Sequence, residues 1–145
     1  MNKYKFIIPL LIFALFYNGS CEREEEHRFV IQNNSDAEIF PVFDMYYSIA
    51  QRPCCLKPTI ESERRQYNDL KIKPYSSKNF EGNGFAEHIM SKPNDTMYIG
   101  IFNCADIDTM SCDEFKQKYP LKKEWKVTLA DMEACDWTLV YTPEE

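Results

Sequence analysis

The sequence predicts a mainly β fold, an antiparallel β-sandwich of immunoglobulin-like or transthyretin-like type with two or three short helices in its connections. Apolar residues recur at every second position in several short runs, and clusters of Asn, Asp, Ser and Pro separate those runs. Strands and helices do not alternate in the regular βαβ manner that a parallel sheet requires, and no repeat of fixed period is visible.

In order along the chain, Phe29 and Ile31 share one side of a first strand that ends in Asn33-Asn34-Ser35-Asp36, a run of turn formers. Ile39, Pro41 and Phe43 then alternate along a second strand. The two are expected to form a hairpin, with Pro41 at an edge or bulge because it has no N–H for the ladder. Tyr46 to Lys57 carries Pro53, two tyrosines and Cys54-Cys55 without a sustained period, and reads as a long loop. A third strand is expected around Asp69 to Lys73, a short edge at Asn79-Phe80, and one or two helical turns within Gly82 to Ser91.

Thr96 to Phe102 is the most apolar stretch after the N-terminus. It predicts a central strand with core on both faces. Ser111 stands three residues before Glu114, the spacing of a helix cap, so a short helix is expected from there to Tyr119, stopped by Pro120. Leu121 to Thr128 alternates around Trp125 and Val127 as another strand. Thr128 and Asp131 then form a second cap, for a helix through Met132 and Ala134. Asp136 to Tyr141 closes the fold, and both Trp125 and Trp137 are expected on strands, facing the core.

The N-terminus carries a different message. Lys3 and Lys5, an apolar run from Phe6 to Phe16, and Asn18-Gly19-Ser20 before Cys21 have the three-part build of a secretory signal. The apolar run is too short to remain in a bilayer as a spanning helix. Small residues ahead of a cysteine suit a peptidase groove, and the thiol suits a diacylglycerol thioether, so the segment looks like a lipobox with Cys21 as the lipidated, palmitate-bearing residue. Asn18 departs from the usual small apolar or hydroxyl residue. The plainer reading is an ordinary secretory signal that leaves Cys21 as a free or disulfide-bonded thiol. Glu22-Arg23-Glu24-Glu25-Glu26 behind it reads as a solvated tether. The expected organisation is thus a signal peptide at 1–20, a lipidated cysteine and acidic tether at 21–27, and one domain at 28–143.

Removing residues 1–20 takes away Lys3 and Lys5 and no acid, so the formal charge moves from −6 to −8 over 125 residues. Such a chain is a poor ligand for nucleic acid. Beyond Cys21 there are five cysteines, Cys54, Cys55, Cys104, Cys112 and Cys135, an odd number compatible with at most two internal disulfides. A Cys54–Cys55 bond would close a strained eight-membered ring, so each is expected to pair elsewhere or stay reduced.

The chemistry-bearing residues are few. His27 and His88 are the two histidines, with no pair at metal-ligand spacing, so no metal and no cofactor is expected. Asp106-Ile107-Asp108-Thr109 lacks the glycine and distal glutamate of a calcium loop and reads as a solvated, helix-capping loop. Glu81-Gly82-Asn83-Gly84 lacks the lysine of a phosphate-binding loop. Among 23 acidic residues no particular carboxylate pair stands out. Tyr46 and Tyr47 are the candidate ligand-binding residues, since exposed aromatic faces stack on sugars or anchor protein partners.

With the lipobox and acidic tether, the strand at 96–102, the Ser111-Cys112-Asp113-Glu114-Phe115 helix start, the strand at 123–128, Leu129-Ala130-Asp131-Met132-Glu133 and Asp136-Trp137-Thr138 resemble small uncharacterised surface lipoproteins of Bacteroidetes-type bacteria. The resemblance covers roughly residues 68–143 and transfers no active site. It implies an outer-membrane lipoprotein, with the acidic run as the signal for outward display. The expected function is a membrane-anchored, non-catalytic binding or accessory domain with a protein or glycan ligand. A thiol-dependent protein using Cys54 and Cys55, and a structural accessory of an envelope complex, are the alternatives.

Overall fold

A computed structural model of the chain describes residues 29–51, 53–80, 92 and 95–144. The signal segment, Cys21, the acidic tether, both histidines and the expected helix within 82–91 lie outside the described residues.

Six strands form two three-stranded sheets. In the first, β1 (Phe29–Asn33) lies between β3 (Ser76–Phe80) and β6 (Thr138–Tyr141). In the second, β4 (Met97–Asn103) lies between β2 (Ile39–Asp44) and β5 (Leu121–Val127). Four short helices complete the described fold: α1 (Glu61–Leu70), α2 (Cys104–Thr109), α3 (Cys112–Lys118) and α4 (Leu129–Ala134), with a 3-10 turn at Ile49–Gln51. The architecture is therefore mixed, strand-rich but with more helix than expected.

The expected hairpin of the first two strands does not form. β1 pairs with β3 and β6, and β2 pairs with β4, so the Asn33–Ala37 turn carries the chain from one sheet to the other. Nor is the fold wholly antiparallel, because β1 and β6 run parallel with Val30 opposite Thr138 and Asn33 opposite Tyr141. Pro41 does sit on an edge strand, opposite Ile101, where its missing N–H breaks no central ladder.

β4 has core on both faces, as its composition predicts. Met97, Ile99 and Ile101 enter one cluster with Phe29 and Ile31 of β1, Leu139 and Tyr141 of β6, and Met132 of α4. On the other face Phe102 enters a second cluster with Phe40, Ile49, Tyr67, Cys104, Ile107 and Phe115, and Tyr98 packs against it. The first cluster draws on both sheets. The second lies between the outer face of β2-β4-β5 and α1, α2 and α3. Gly100 lies between them in β4, and its lack of a side chain is required: a Cβ there would come within 2.9 Å of Ile49 Cγ2 and 3.0 Å of Leu121 Cδ1.

The third expected strand, Asp69 to Lys73, is replaced by the end of α1 and one bridge in which Ile39 and Ile72 exchange N–H···O bonds of 3.0 and 2.9 Å. The expected edge at Asn79-Phe80 is present and longer, as β3. Residues 104–109 form α2 rather than a solvated loop, because Cys104 and Ile107 turn into the second core, and Asp106 pairs with Lys122 at 3.1 Å. Both later helix starts are capped. The Ser111 hydroxyl accepts the Glu114 N–H at 3.2 Å, and Thr128 and Asp131 bond each other reciprocally. Trp125 lies on β5 and Trp137 in the turn before β6, at φ 55°; each is half-buried against the first core rather than inside it.

Candidate functional site

A concave surface among the described residues is built by the stretch expected to be a bare loop. Residues 53–60 hold no regular structure, but they are fastened at two points. Cys55 is disulfide-bonded to Cys112 at the start of α3, with a Cα–Cα distance of 5.1 Å. Lys57 Nζ donates to the backbone carbonyls of Asp108 at 3.1 Å and Met110 at 3.4 Å, satisfying the open end of α2.

α1 then runs beside this strap. It is polar nearly all round, so packing of Tyr67 fixes it rather than an apolar stripe. The Tyr67 ring lies 4.8 Å from that of Phe40, and its hydroxyl reaches the Cys104 carbonyl at 3.4 Å. The helix start is closed by Glu63, whose carboxylate accepts the Thr59 N–H and hydroxyl, both at 2.8 Å, and the Ile60 N–H at 3.3 Å. These donors, Thr59 N–H first, hold the Glu63 carboxyl below its ordinary value.

Between strap and helix lies a cavity of about 440 Å³ walled by Phe40, Leu56, Leu70, Tyr67 and the Cys55–Cys112 bridge. A second cavity of about 230 Å³ shares Lys57, Pro58 and Tyr67 with it and adds Arg64, Asn68, Lys71 and Asp108. The two together make one cleft, mainly apolar at one end, where Glu63 and Gln66 also stand in the wall, and cationic at the other. Lys71 Nζ stands 4.3 Å over the Tyr67 ring and 3.5 Å from both Glu38 and Asp108. Lys57 donates to uncharged carbonyls and enters no ion pair among the described residues. Arg64 enters no ion pair among the described residues. The cationic end thus gathers three positive groups against Asp108 in a chain of net charge −6. That arrangement attracts an acidic group, while the apolar end accepts a hydrocarbon or ring.

Of the residues singled out from sequence, Cys55 and Cys112 are joined, with Cys54 beside them as an exposed thiol. Cys104 is buried in the second core, where desolvation pushes its thiol up to about 11 and keeps it protonated. The half-buried Cys135 donates weakly to the Met132 carbonyl at 3.4 Å. Tyr46 and Tyr47 are 67% and 48% exposed, on a bend after β2. The bend is braced: Asp44 Oδ1 accepts both tyrosine N–H groups, and the Glu124 carboxylate accepts the Ser48 hydroxyl and the Ala50 N–H.

Lys57, Arg64, Tyr67 and Lys71 were not expected as a site. Only the helix, which the sequence does not announce, turns spacing into a signal: Arg64 and Lys71, the residue just past α1, stand two helical turns apart and so share one face. Among the described residues no group of three or more His, Cys, Asp or Glu is placed to hold a metal ion. No protein family, curated protein or solved structure matches the chain.

Proposed function

We propose that the protein is a non-catalytic binding domain, carried on the outer membrane by lipid on Cys21, that takes an acidic small molecule with an apolar body into the cleft between residues 53–60 and α1. The observation that carries this reading is the joining of a mainly apolar cavity to a cationic one, where Arg64 enters no ion pair among the described residues. The fold behind it is a β-sandwich, a reading supported by the residues of both sheets that meet in one core. Two or three acyl chains, at about 0.8 kcal/mol per buried methylene, would hold such a domain at the membrane, and the acidic run after Cys21 favours outward display.

Titration calorimetry of the full chain in detergent tests the ligand class, using a panel of amphiphilic carboxylates and organic phosphates with neutral analogues. Acidic members are expected to bind, with affinity falling as salt rises, and Arg64→Glu is expected to weaken them by about tenfold or more. Equal binding of neutral analogues, or no binding at all, would sink the proposal. Radiolabelled palmitate incorporated by wild type and lost on Cys21→Ala tests the anchor. Protease treatment of intact cells tests which way the domain faces.

A second reading rests on Tyr46 and Tyr47, whose exposure on a braced bend suits a protein or glycan surface at little ordering cost. Array binding lost in the double alanine variant, but kept in Arg64→Glu, would favour this surface over the cleft.

A further inference from the structure

A disulfide stands at the wall of the cleft, and a third sulfur precedes it in the sequence. Cys55 is bonded to Cys112, and both line the larger cavity. Cys54, its neighbour in sequence, is an exposed thiol. Consecutive Cα atoms lie about 3.8 Å apart, and the Cα atoms of Cys55 and Cys112 are 5.1 Å apart. The Cα atoms of Cys54 and Cys112 therefore lie no more than about 9 Å apart, and a shift of the strap by about 2 Å brings them within the ~7 Å that a disulfide spans. Direct closure between Cys54 and Cys55 is disfavoured by its eight-membered ring, so Cys112 is the sulfur open to attack. The strap offers no regular hydrogen bonding to hold one register: residues 53–56 belong to no helix or strand.

We propose that Cys54, Cys55 and Cys112 form a thiol–disulfide exchange centre in which Cys54 and Cys55 compete for Cys112. The Cys54 thiolate attacks Cys112 Sγ; a Cys54–Cys112 bond forms, the Cys55–Cys112 bond breaks, and Cys55 leaves as the thiolate. One proton is lost from Cys54 and one is gained by Cys55, with no net oxidation or reduction and no added reagent. The exchange moves the free thiol from an exposed position to one that lines the cleft. The cleft then presents a nucleophilic sulfur to whatever occupies it.

The buried Cys104 and the half-buried Cys135 lie in the second core and against the first. Neither belongs to the three-sulfur group.

The test is the position of the free thiol in the full-length protein. Wild type held at mildly alkaline pH is quenched with a fast alkylating reagent, and fragment-ion sequencing of the peptide containing both residues assigns the label. Exchange predicts label on Cys55 in at least about one chain in ten, and less than that overturns the proposal. Cys55→Ser supplies a second readout under non-reducing conditions. A monomer with an intramolecular Cys54–Cys112 bond is expected, whereas a folded variant with both sulfurs alkylated would overturn it. Cys54→Ser, which keeps the Cys55–Cys112 pairing, is expected to lose all exchange.

Discussion

Asn33 is wholly buried and every polar atom of its side chain is engaged. Its Nδ2 donates to the carbonyls of Ala37 at 2.8 Å, Lys73 at 3.1 Å and Ile72 at 3.3 Å. Its Oδ1 accepts the Ser35 N–H at 3.0 Å and the Ser35 hydroxyl at 2.6 Å. One amide thus ties the turn between the sheets to the bridge after α1, and its two ends have opposite hydrogen-bonding sense. Alanine at this position would leave buried partners unsatisfied, and a loss of about 2–4 kcal/mol is expected in urea unfolding. Asn33→Asp should do little better, because it replaces the donating amide with an acceptor aimed at three carbonyls. Variants within about 0.5 kcal/mol of wild type would show that water substitutes freely for the amide.

At the scale of elements, α4 shows how a short helix is held by its first turn. Thr128 Oγ1 accepts the Asp131 N–H at 3.3 Å, while Asp131 Oδ2 accepts the Thr128 N–H at 2.8 Å and hydroxyl at 2.7 Å. The Thr128 hydroxyl and N–H hold the Asp131 carboxyl below its ordinary value, so this cap is present above the usual carboxylate range and weakens as pH falls through the lowered value. Thr128→Ala is expected to lower stability by about 1 kcal/mol. Hydrogen exchange should quicken at the amides of α4, which carries the buried Met132; unchanged exchange there would show that packing alone holds the helix. This cap and the apolar run of β4 were readable because each is a local signal, a side chain bonding three residues on or alternate residues facing opposite sides. α1 was not readable, since Glu61 to Leu70 buries only Tyr67 and shows no apolar period. The parallel pairing of β1 with β6 and the bridge from Cys55 to Cys112 join segments far apart in sequence, and no local pattern encodes such partners. The same is true of the cleft, whose two sides were legible only as a Pro/Cys stretch and a polar one.

Across the whole molecule, the second core gathers groups that ionise only at high pH. Burial pushes the Cys104 thiol from 9.0 up to about 11, and the Tyr119 hydroxyl from 10.0 up to about 12. Burial raises Tyr67 in the same core, and Tyr141 in the first core, as well. Each of these groups is held in its neutral form by the folded state, whereas the unfolded chain releases its proton at the ordinary value. Above pH 9 the unfolded state therefore binds fewer protons than the folded one, and stability falls as pH rises. Below that value these groups contribute no pH dependence. The melting temperature, followed by circular dichroism, is expected to be insensitive to them up to about pH 9 and to drop steadily through the interval set by Cys104 and Tyr119. Cys104→Ala removes the earliest-ionising of these groups, so its decline is expected to begin about one pH unit later, near the ordinary value of tyrosine. If both proteins lose stability along the same curve, the thiol is not what couples this core to alkaline pH, and the tyrosines packed beneath β2-β4-β5 carry the effect by themselves.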